Sequence, residues 1–345
     1  MPRDLRALPK AHLHLHFTGS MDPGTLTALA AEADVRLPES LRDHAVDRDP
    51  LRLPANERGW FRFQRMYDAA RAVVRSESAM RRIVREAAAA DAAEGSRRLE
   101  LQVDPTSYAP FVGGLTPALE IVLDEARAAS ASTGVEVGII VASSRLRHPF
   151  EARTLARLAA RHASDGPGGV IGFGLSNDER HGTTADFAPA FAFAARAGLA
   201  LVPHGGELLG PDHVREVVDH LHPDRLGHGV RTAEDPALLE SVVAAGIALE
   251  VCPASNVSLG VYHSLEEVPL RTLLDAGAQV ALGADDPLLF GSRLLAQYES
   301  ARTVHGLDDA TLAGLARSSI RASRASASSV SAMLADVDAW LALPV

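Results

Sequence analysis

The sequence predicts an α/β fold, a TIM-type (β/α)8 barrel, and three observations lead to it. Short runs rich in β-branched residues alternate with longer segments of helical periodicity, as in strands joined by helical crossovers. Eight such runs can be counted, which is the number that closes this barrel. A length of 345 residues suits one large barrel, although it also allows two ordinary domains. Because neither an internal repeat nor a linker divides the chain, we expect residues 1–345 to form a single domain with extra helices.

The predicted strands are apolar runs bounded by glycine, proline or polar residues. They cover residues 11–16, 98–103, 135–141, 170–174, 200–204, 225–228, 247–251 and 279–284. Because the segments between them have helical periodicity, we expect consecutive strands to lie parallel to each other.

The predicted helices carry apolar residues at helical spacing. Residues 81–93 place apolar side chains on one face, and residues 117–129 can be capped by Thr116. Residues 213–220 predict another helix, and the tail from 307 to 343 predicts two or three closing helices.

A long segment, residues 37–66, separates the first helix from the second strand and contains several prolines. Connections of this length in a compact domain are typical of functional loops, so we interpret it as a lid insertion after the first strand. Its aromatic residues Trp60, Phe61 and Phe63 either pack under the loop or contact the substrate, and the sequence favours neither.

The composition is that of a soluble globular protein. Hydrophobic residues make up 47% and charged residues 23%, which allows a large core. A net charge of −10 disfavours binding to nucleic acid, which requires a positive face. No stretch approaches the roughly 20 apolar residues of a membrane span, and residues 1–10 show no secretory signal. We therefore expect a cytoplasmic protein that acts on a small molecule, without a prediction of its oligomeric state.

Cysteine and lysine are both nearly absent. Cys252 is the one cysteine, which excludes an internal disulfide and a cysteine-rich zinc site and agrees with a reducing compartment. Lys10 is the one lysine, which argues against a lysine Schiff base or a lysine carbamate that bridges two metal ions.

Histidine and aspartate residues follow several predicted strands. Alternation along the first strand places His14 and His16 on the same face. His204 ends the fifth strand, His228 the sixth, and Asp285 with Asp286 the eighth. Functional groups of such barrels gather at the carboxyl ends of the strands, so we expect these side chains to converge there.

These residue types favour a catalytic metal site with one zinc ion per chain. Zinc with three nitrogen ligands, one carboxylate and an open position lowers the pKa of its bound water to about 7. Glu207, three residues after His204, can reach the same pocket and deliver a proton to a ring nitrogen of the substrate. His228 is either a fourth metal ligand or a group that positions the water, and spacing leaves both alternatives open.

Five segments together resemble the adenosine deaminase family over almost the whole chain. They are residues 10–19, 204–207, 227–229, 250–256 and 285–287. The resemblance implies a zinc-dependent (β/α)8 hydrolase of purine nucleoside metabolism. Such an enzyme replaces the 6-amino group of an aminopurine nucleoside, a cyclic amidine, by oxygen and releases ammonia, as in the conversion of adenosine to inosine.

The resemblance also implies a role for each matching residue. The zinc ligands would be His14, His16, His204 and Asp285. Glu207 would protonate purine N1, and His228 would orient the attacking hydroxide. Asp286 would bind purine N7, while Asp285 could also accept a proton from the attacking water.

Three positions depart from the family pattern. Thr18 stands where the family has an acid that accepts a hydrogen bond from the ribose 5′-hydroxyl. Asn177 stands where the family has a glycine whose N–H approaches purine N3, and asparagine tolerates similar backbone angles. We expect Thr18, Gly174 and Asn177 to contact the substrate together with His16. His12 replaces a glutamate, and we expect it on the strand face of the ligands, tied to the barrel floor.

The departures at Thr18 and Asn177 favour a nucleoside altered at its 5′ end. The alternative substrate is 6-aminodeoxyfutalosine, which a similar subgroup converts to futalosine in menaquinone biosynthesis. Its carboxylate could meet Arg62, Arg145 or Arg147.

Two other functions compete with deamination. A binuclear amidohydrolase on the same barrel needs a bridging lysine carbamate, and no lysine stands in the third or fourth strand. A catalytically silent relative used for binding is the further alternative, although every proposed ligand and proton carrier is present. The single cysteine excludes the nucleic acid deaminases that bind zinc through a cysteine pair.

Overall fold

Eight parallel strands form the predicted barrel in a computed structural model that describes residues 2–47 and 50–344. The strands are β1 (Lys10–His16), β2 (Ser96–Val103), β3 (Glu136–Ser144), β4 (Val170–Ser176), β5 (Ala200–Gly205), β6 (Arg225–His228), β7 (Ala248–Val251) and β8 (Val280–Leu282). Each strand pairs with the next one along the chain, and a bridge between Leu15 and Asp285 brings β1 beside the end of β8. The (β/α)8 fold class is therefore confirmed.

The strand ends differ slightly from the predicted ones. The third strand, predicted at residues 135–141, runs from Glu136 to Ser144, and this is the largest displacement of any strand end. Strand ends are decided by hydrogen bonds to the neighbouring strands, which the composition of a single run does not encode.

Helices surround the barrel and follow the strands in alternation. They are α1 (Pro23–Glu32), α2 (Glu39–Asp47), α3 (Glu57–Arg71), α4 (Glu77–Ala93), α5 (Ala109–Val112), α6 (Leu115–Thr133), α7 (Pro149–Arg161), α8 (Ala188–Arg196), α9 (Pro211–Leu221), α10 (Pro236–Ala244), α11 (Pro253–Ser258), α12 (Leu270–Asp275), α13 (Pro287–Phe290), α14 (Leu294–Thr303), α15 (Asp309–Ala322) and α16 (Ala327–Ala342). Among the described residues, no helix combines the length and the apolar character needed to cross a membrane.

One helix prediction needs correction and one is confirmed. Helix α6 begins at Leu115 after a cap at Gly114, so Thr116 lies inside the first turn rather than at the cap. The backbone geometry of Gly113 and Gly114, both with positive φ, sets this earlier start. The tail forms two closing helices, α15 and α16, as predicted.

The predicted lid is helical rather than an open loop. Helices α2 and α3 occupy most of residues 37–66, and residues 48 and 49 lie outside the described part of the chain. Asn56 caps α3 by accepting a hydrogen bond from the N–H of Gly59. Because the prolines come before this cap, they leave the helical period of the aromatic residues intact.

The expectation for His12 is wrong, because a bulge in β1 turns its side chain away from the ligands. The register of β1 against β2 shifts between His12 and Leu15. The ring of His12 contacts Asp91 on α4 at 3.0 Å, whereas the ring of His14 contacts Glu250 inside the barrel. One extra residue in a strand reverses the faces of the side chains that follow it.

Lys10 is a buried structural residue at the start of β1, the opposite end of the strand from His16. Its ammonium group donates hydrogen bonds to the carbonyl oxygens of Leu5, Leu8 and Glu94 at 2.7–2.9 Å. The only lysine of the chain therefore lies far along the barrel from the carboxyl ends of the strands.

Replacing Lys10 with methionine is expected to lower the free energy of unfolding by about 1–3 kcal/mol, because buried carbonyl oxygens lose their donor. Urea unfolding followed by circular dichroism measures the change. Arg97→Met, at an exposed position of β2, is the matched control and is expected to change stability by less than about 0.5 kcal/mol. Equal stabilities of the two variants would contradict the structural role of Lys10.

Candidate metal centre and substrate pocket

The polar residues singled out from the sequence gather at the carboxyl ends of the strands. His14 and His16 occupy the end of β1, His204 lies near the end of β5, and His228 ends β6. Asp285 follows β8 and pairs with β1 through backbone hydrogen bonds to His14 and His16. The barrel thus brings together residues that are up to 271 positions apart in sequence, from His14 to Asp285.

Three imidazole rings and one carboxylate converge on a small volume. The Nε2 atom of His16 lies 3.2 Å from Oδ1 of Asp285, and Nε2 of His14 lies 3.6 Å from the same oxygen. The Nε2 atoms of His204 and His16 face each other at 3.2 Å. Each of these contacts is satisfied either by a proton on one of the two atoms or by a cation bound between them.

The donor set fits a divalent metal ion. Ligand atoms of His14, His16 and His204 lie within 4.8 Å of one another, as do those of His14, His228 and Asp285. Nε2 of His14 is buried and has no hydrogen-bond partner among the described residues. Three imidazoles with one carboxylate are typical of zinc, although the same donors also bind other transition metals.

Buried polar residues hold these candidate ligands in place. Glu250 accepts a hydrogen bond of 2.7 Å from Nδ1 of His14, which directs Nε2 towards the cluster. Arg225 holds Glu250 at 2.7 Å and also reaches Glu100 at 2.6 Å. Ser255 donates a hydrogen bond of 2.5 Å to Asp285. The sequence analysis missed these contacts, although Glu250 and Ser255 belong to one of the five matching segments.

The local environment sets the charges of the histidines. Burial lowers the pKa of His204 well below its usual value and that of His228 to about 3, so both rings are neutral. Burial acts in the same direction on His14, but the nearby carboxylates of Asp285 and Glu250 raise its pKa to about 9. Protons and metal ions therefore compete for the ring nitrogen of His14.

Two further carboxyl groups lie beside the cluster. Burial, Asp285 and Glu179 raise the pKa of Glu207 well above its usual value, which favours the protonated form of this carboxyl group. Burial and the neighbouring Asp285 likewise raise the pKa of Asp286. A side chain at Gly19 would place its Cβ only 1.8 Å from Oδ1 of Asp286, so glycine is required for this approach.

The backbone is strained at several of these positions. Asn177, His228 and Asp285 all have positive φ, at 83°, 63° and 62°. Non-glycine residues rarely adopt this conformation, and where they do it is often at a functional site. The expectation that Asn177 accommodates the backbone angles of glycine is confirmed by its φ.

A pocket opens next to the cluster, with one face of α3 as a wall. Its inner part is lined by His16, Asn177, His204, Glu207, His228, Asp285 and Asp286, and α3 contributes Trp60, Phe63, Gln64, Tyr67 and Arg71. The pocket encloses about 720 Å³, including the space at its open mouth. Phe61, by contrast, is exposed. The residues of α3 follow a helical period that becomes visible only when the pattern is extended past residue 66.

Two residues expected to contact the substrate do not line this pocket. Thr18 is fully buried, and its hydroxyl group is 2.6 Å from the hydroxyl of Tyr108, which takes its place in the pocket wall. Gly174 does not line the pocket, because it lies inside β4 against the carbonyl of Val202. Both corrections arise from neighbouring strands and loops that the local motif does not reveal.

The three arginines proposed for a substrate carboxylate do not line this pocket. Arg145 is buried and donates to the carbonyl of His204, Arg147 pairs with Glu151, and Arg62 borders a separate cavity. Arg71, which the sequence analysis missed, is the arginine in the wall. It pairs with Asp68 at the end of α3.

Comparison with known proteins gives consistent results over nearly the whole chain. The family model described as adenosine deaminase matches residues 9–340. A Streptomyces coelicolor protein provisionally named adenosine/adenine deaminase is 57% identical, with 98% of each chain covered. The aminodeoxyfutalosine deaminase of the same species is 33% identical, over 99% of this chain and 89% of the relative. The crystal structure of an Arthrobacter aurescens adenine deaminase superposes with a TM-score of 0.88 at 29% identity, covering 97% of this chain and 99% of the other.

Gly227→Ala is expected to weaken metal retention by about tenfold or more, because the added Cβ lies 2.9 Å from Nδ1 of His204 and 3.0 Å from Cε1 of His14. Metal content after dialysis against a chelator measures the effect. Gly314→Ala in α15 is the matched control, since nothing lies within 4 Å of the added Cβ. Equal metal retention in both variants would show that the cluster is not the metal site.

Proposed function

The chain belongs to the adenosine deaminase family, and from this premise we propose that it hydrolyses the 6-amino group of an adenine nucleoside and releases ammonia. The observation that carries the proposal is the arrangement of Glu207 beside the cluster of His14, His16, His204 and Asp285. A proton donor and a metal site that share one pocket are what hydrolytic attack on an aromatic amidine requires.

We propose that His14, His16, His204 and Asp285 hold a zinc ion. When bound, the ion acts as a Lewis acid that makes water nucleophilic at neutral pH. Asp285 also has a proton-accepting oxygen near the site, which Ser255 orients by its hydrogen bond. The other steps belong to residues of the chain itself.

Glu207 is proposed to protonate purine N1 during attack of water at C6. Its carboxyl group holds a proton because burial raises its pKa, and protonation of N1 removes negative charge from the ring as the C6–O bond forms. Loss of ammonia from the tetrahedral carbon then restores the aromatic ring. His228, with Nε2 at 3.5 Å from Glu207 and 3.9 Å from Asp285, is positioned to orient the attacking water.

Asp286 is proposed to recognise purine N7. N7 is only a hydrogen-bond acceptor, so the carboxyl group must be protonated to donate to it. Burial and Asp285 raise the pKa of Asp286, in agreement with this role. Asp286 lines the pocket beside the cluster, where its carboxyl group can meet the base.

The extent of the pocket favours a nucleoside over free adenine. Besides Tyr67 and Tyr108, the pocket wall includes polar residues at Gln64, Arg71, Asp104 and Ser107. Tyr67 also lines the pocket, and burial raises the pKa of its hydroxyl group well above the usual value. A ribose attached to the base is proposed to extend towards these polar groups, whereas adenine alone has no substituent to contact them.

A nucleoside altered at its 5′ end is the second candidate substrate. Arg71 supports this candidate because it places a cation in the pocket wall. Tyr108 supports it because its hydroxyl group pairs with that of Thr18, the residue expected at the 5′ end of the substrate. The comparisons do not favour 6-aminodeoxyfutalosine in particular. Streptomyces coelicolor has a deaminase named for that substrate at 33% identity and a different relative at 57% identity.

Glu207→Gln is expected to lower kcat by about 10²–10⁴-fold with the metal retained, because the amide cannot donate an acidic proton to N1. Ammonia release and metal content are measured on the same preparation. Glu216→Gln, at an exposed position of α9, is the matched control. Wild-type activity of Glu207→Gln would remove Glu207 from its proposed role.

Arg71→Leu is expected to lower kcat/KM for nucleosides by about tenfold while leaving adenine nearly unchanged, because the arginine contacts only the substituent of the base. Adenine, adenosine, 5′-methylthioadenosine and 6-aminodeoxyfutalosine form the substrate panel. Arg75→Leu, at an exposed position in the connection between α3 and α4, is the control. Equal losses for adenine and nucleosides would contradict the proposal. A clear preference of the wild type for adenosine would reject the 5′-altered candidate.

A further inference from the structure

Glu179 is a buried carboxylate whose main partners are backbone N–H groups. Its Oε1 accepts a hydrogen bond from the N–H of Glu207 at 3.1 Å. Its Oε2 accepts hydrogen bonds from the N–H groups of Leu208 and Leu209, both at 2.8 Å. One side chain after β4 therefore holds three successive amides of the loop after β5, and charge-assisted hydrogen bonds of this kind are strong.

The charge of Glu179 is directed at this loop rather than at a salt bridge. The preceding residue, Asp178, pairs with Arg180 at 2.8 Å and with His181 at 3.2 Å. Among the described residues, the ring of His213 lies 3.8 Å from Oε2 of Glu179, and burial lowers the pKa of this histidine, which favours its neutral form. The two adjacent carboxylates thus have different surroundings, and only Glu179 contacts the segment that carries Glu207.

Arg145 holds the other side of the same segment. Its guanidinium group, at the end of β3, donates a hydrogen bond of 3.0 Å to the carbonyl oxygen of His204 and one of 3.2 Å to Thr184. Arg145 therefore binds the first carbonyl group of the segment from His204 to Leu209, and Glu179 binds its last three amide groups. Arg145 follows β3 and Glu179 follows β4, so both residues precede β5 in the chain.

The backbone conformation of the segment from His204 to Leu209 allows it to make these contacts. Gly206 has a φ of 76°, and a Cβ at this position would lie 2.7 Å from the side chain of Val214. Because the chain turns here, the N–H groups of residues 207–209 point together towards Glu179.

We propose that Glu179 and Arg145 form a clamp that positions Glu207 for proton transfer, with Glu179 as the principal positioning residue. The inference rests on the proposed role of Glu207. Proton transfer requires heavy-atom distances of about 2.6–3.2 Å, and small displacements of a catalytic group are costly in rate. A carboxyl group on a loop needs such fixation, because the loop has no regular hydrogen-bond ladder of its own.

Glu179→Gln tests the clamp, because either orientation of its amide turns an NH2 group towards at least one backbone N–H donor. We expect kcat to fall about tenfold to a hundredfold, with KM changed less than threefold and the metal content unchanged. Hydrogen exchange of the amides of residues 207–209 is expected to accelerate at least tenfold. The exchange measurement does not depend on activity.

Asp178→Asn is the matched control, since it alters an adjacent buried carboxylate that does not contact the loop. Its kcat and the exchange of residues 207–209 are expected to stay within about threefold of wild type. Glu179→Asp provides a second variant if Glu179→Gln does not fold, as its shortened carboxylate keeps the charge but not the reach. Its kcat is expected to lie between those of wild type and Glu207→Gln.

The double variant Glu179→Gln with Glu207→Gln separates positioning from general destabilisation. Because Glu179 acts through Glu207, the double variant is expected to match Glu207→Gln alone within about twofold. A further loss as large as that caused by Glu179→Gln in the wild type would overturn the clamp, as would unchanged amide exchange. Full activity of Glu207→Gln would instead overturn the proposed function, so the two failures are distinguishable.

Discussion

The convergence of imidazole and carboxylate groups at one end of the barrel is the constraint on which the rest of the structure depends. Burying such donors is unfavourable unless each one has a partner, and Nε2 of His14 has none among the described residues. A divalent cation satisfies several of these donors at once, which a hydrogen bond cannot do. The surrounding features, including the bulge in β1, serve to bring these atoms together.

The buried contacts that support this cluster fix the positions of its atoms but contribute little to the stability of the fold. The chain of contacts from His14 through Glu250 and Arg225 to Glu100 buries two carboxylates and a guanidinium group. Buried ion pairs contribute little net stability because desolvation offsets their attraction, but removing one partner leaves an unpaired charge. Positive φ at Asn177, His228 and Asp285 has a similar cost. The large core of the barrel tolerates these costs and in return holds the ligand atoms rigidly.

Helix α3 lines the pocket both beside the His/Asp cluster and in the part proposed to face the ribose of the substrate. Phe63 stacks on Phe290 of α13 at 5.5 Å, which fixes the helix above the cluster, while Tyr67 and Arg71 extend further along the wall. The residues proposed to carry out deamination lie at or after strand ends, and the residues proposed to select the substrate come from a helix inserted between β1 and β2. Differences in this insertion can therefore change the substrate without altering the chemistry.

The sequence by itself determined the eight strands, their parallel order and the set of polar residues that meet at their ends, because periodicity and strand order are local properties and a closed barrel places all carboxyl ends on one rim. The tertiary structure alone decided which way each side chain points. The bulge turned His12 towards Asp91, Tyr108 covered Thr18, and Arg145 turned to the carbonyl of His204 while Arg71 entered the pocket. These outcomes depend on contacts between residues distant in sequence, which no local pattern encodes.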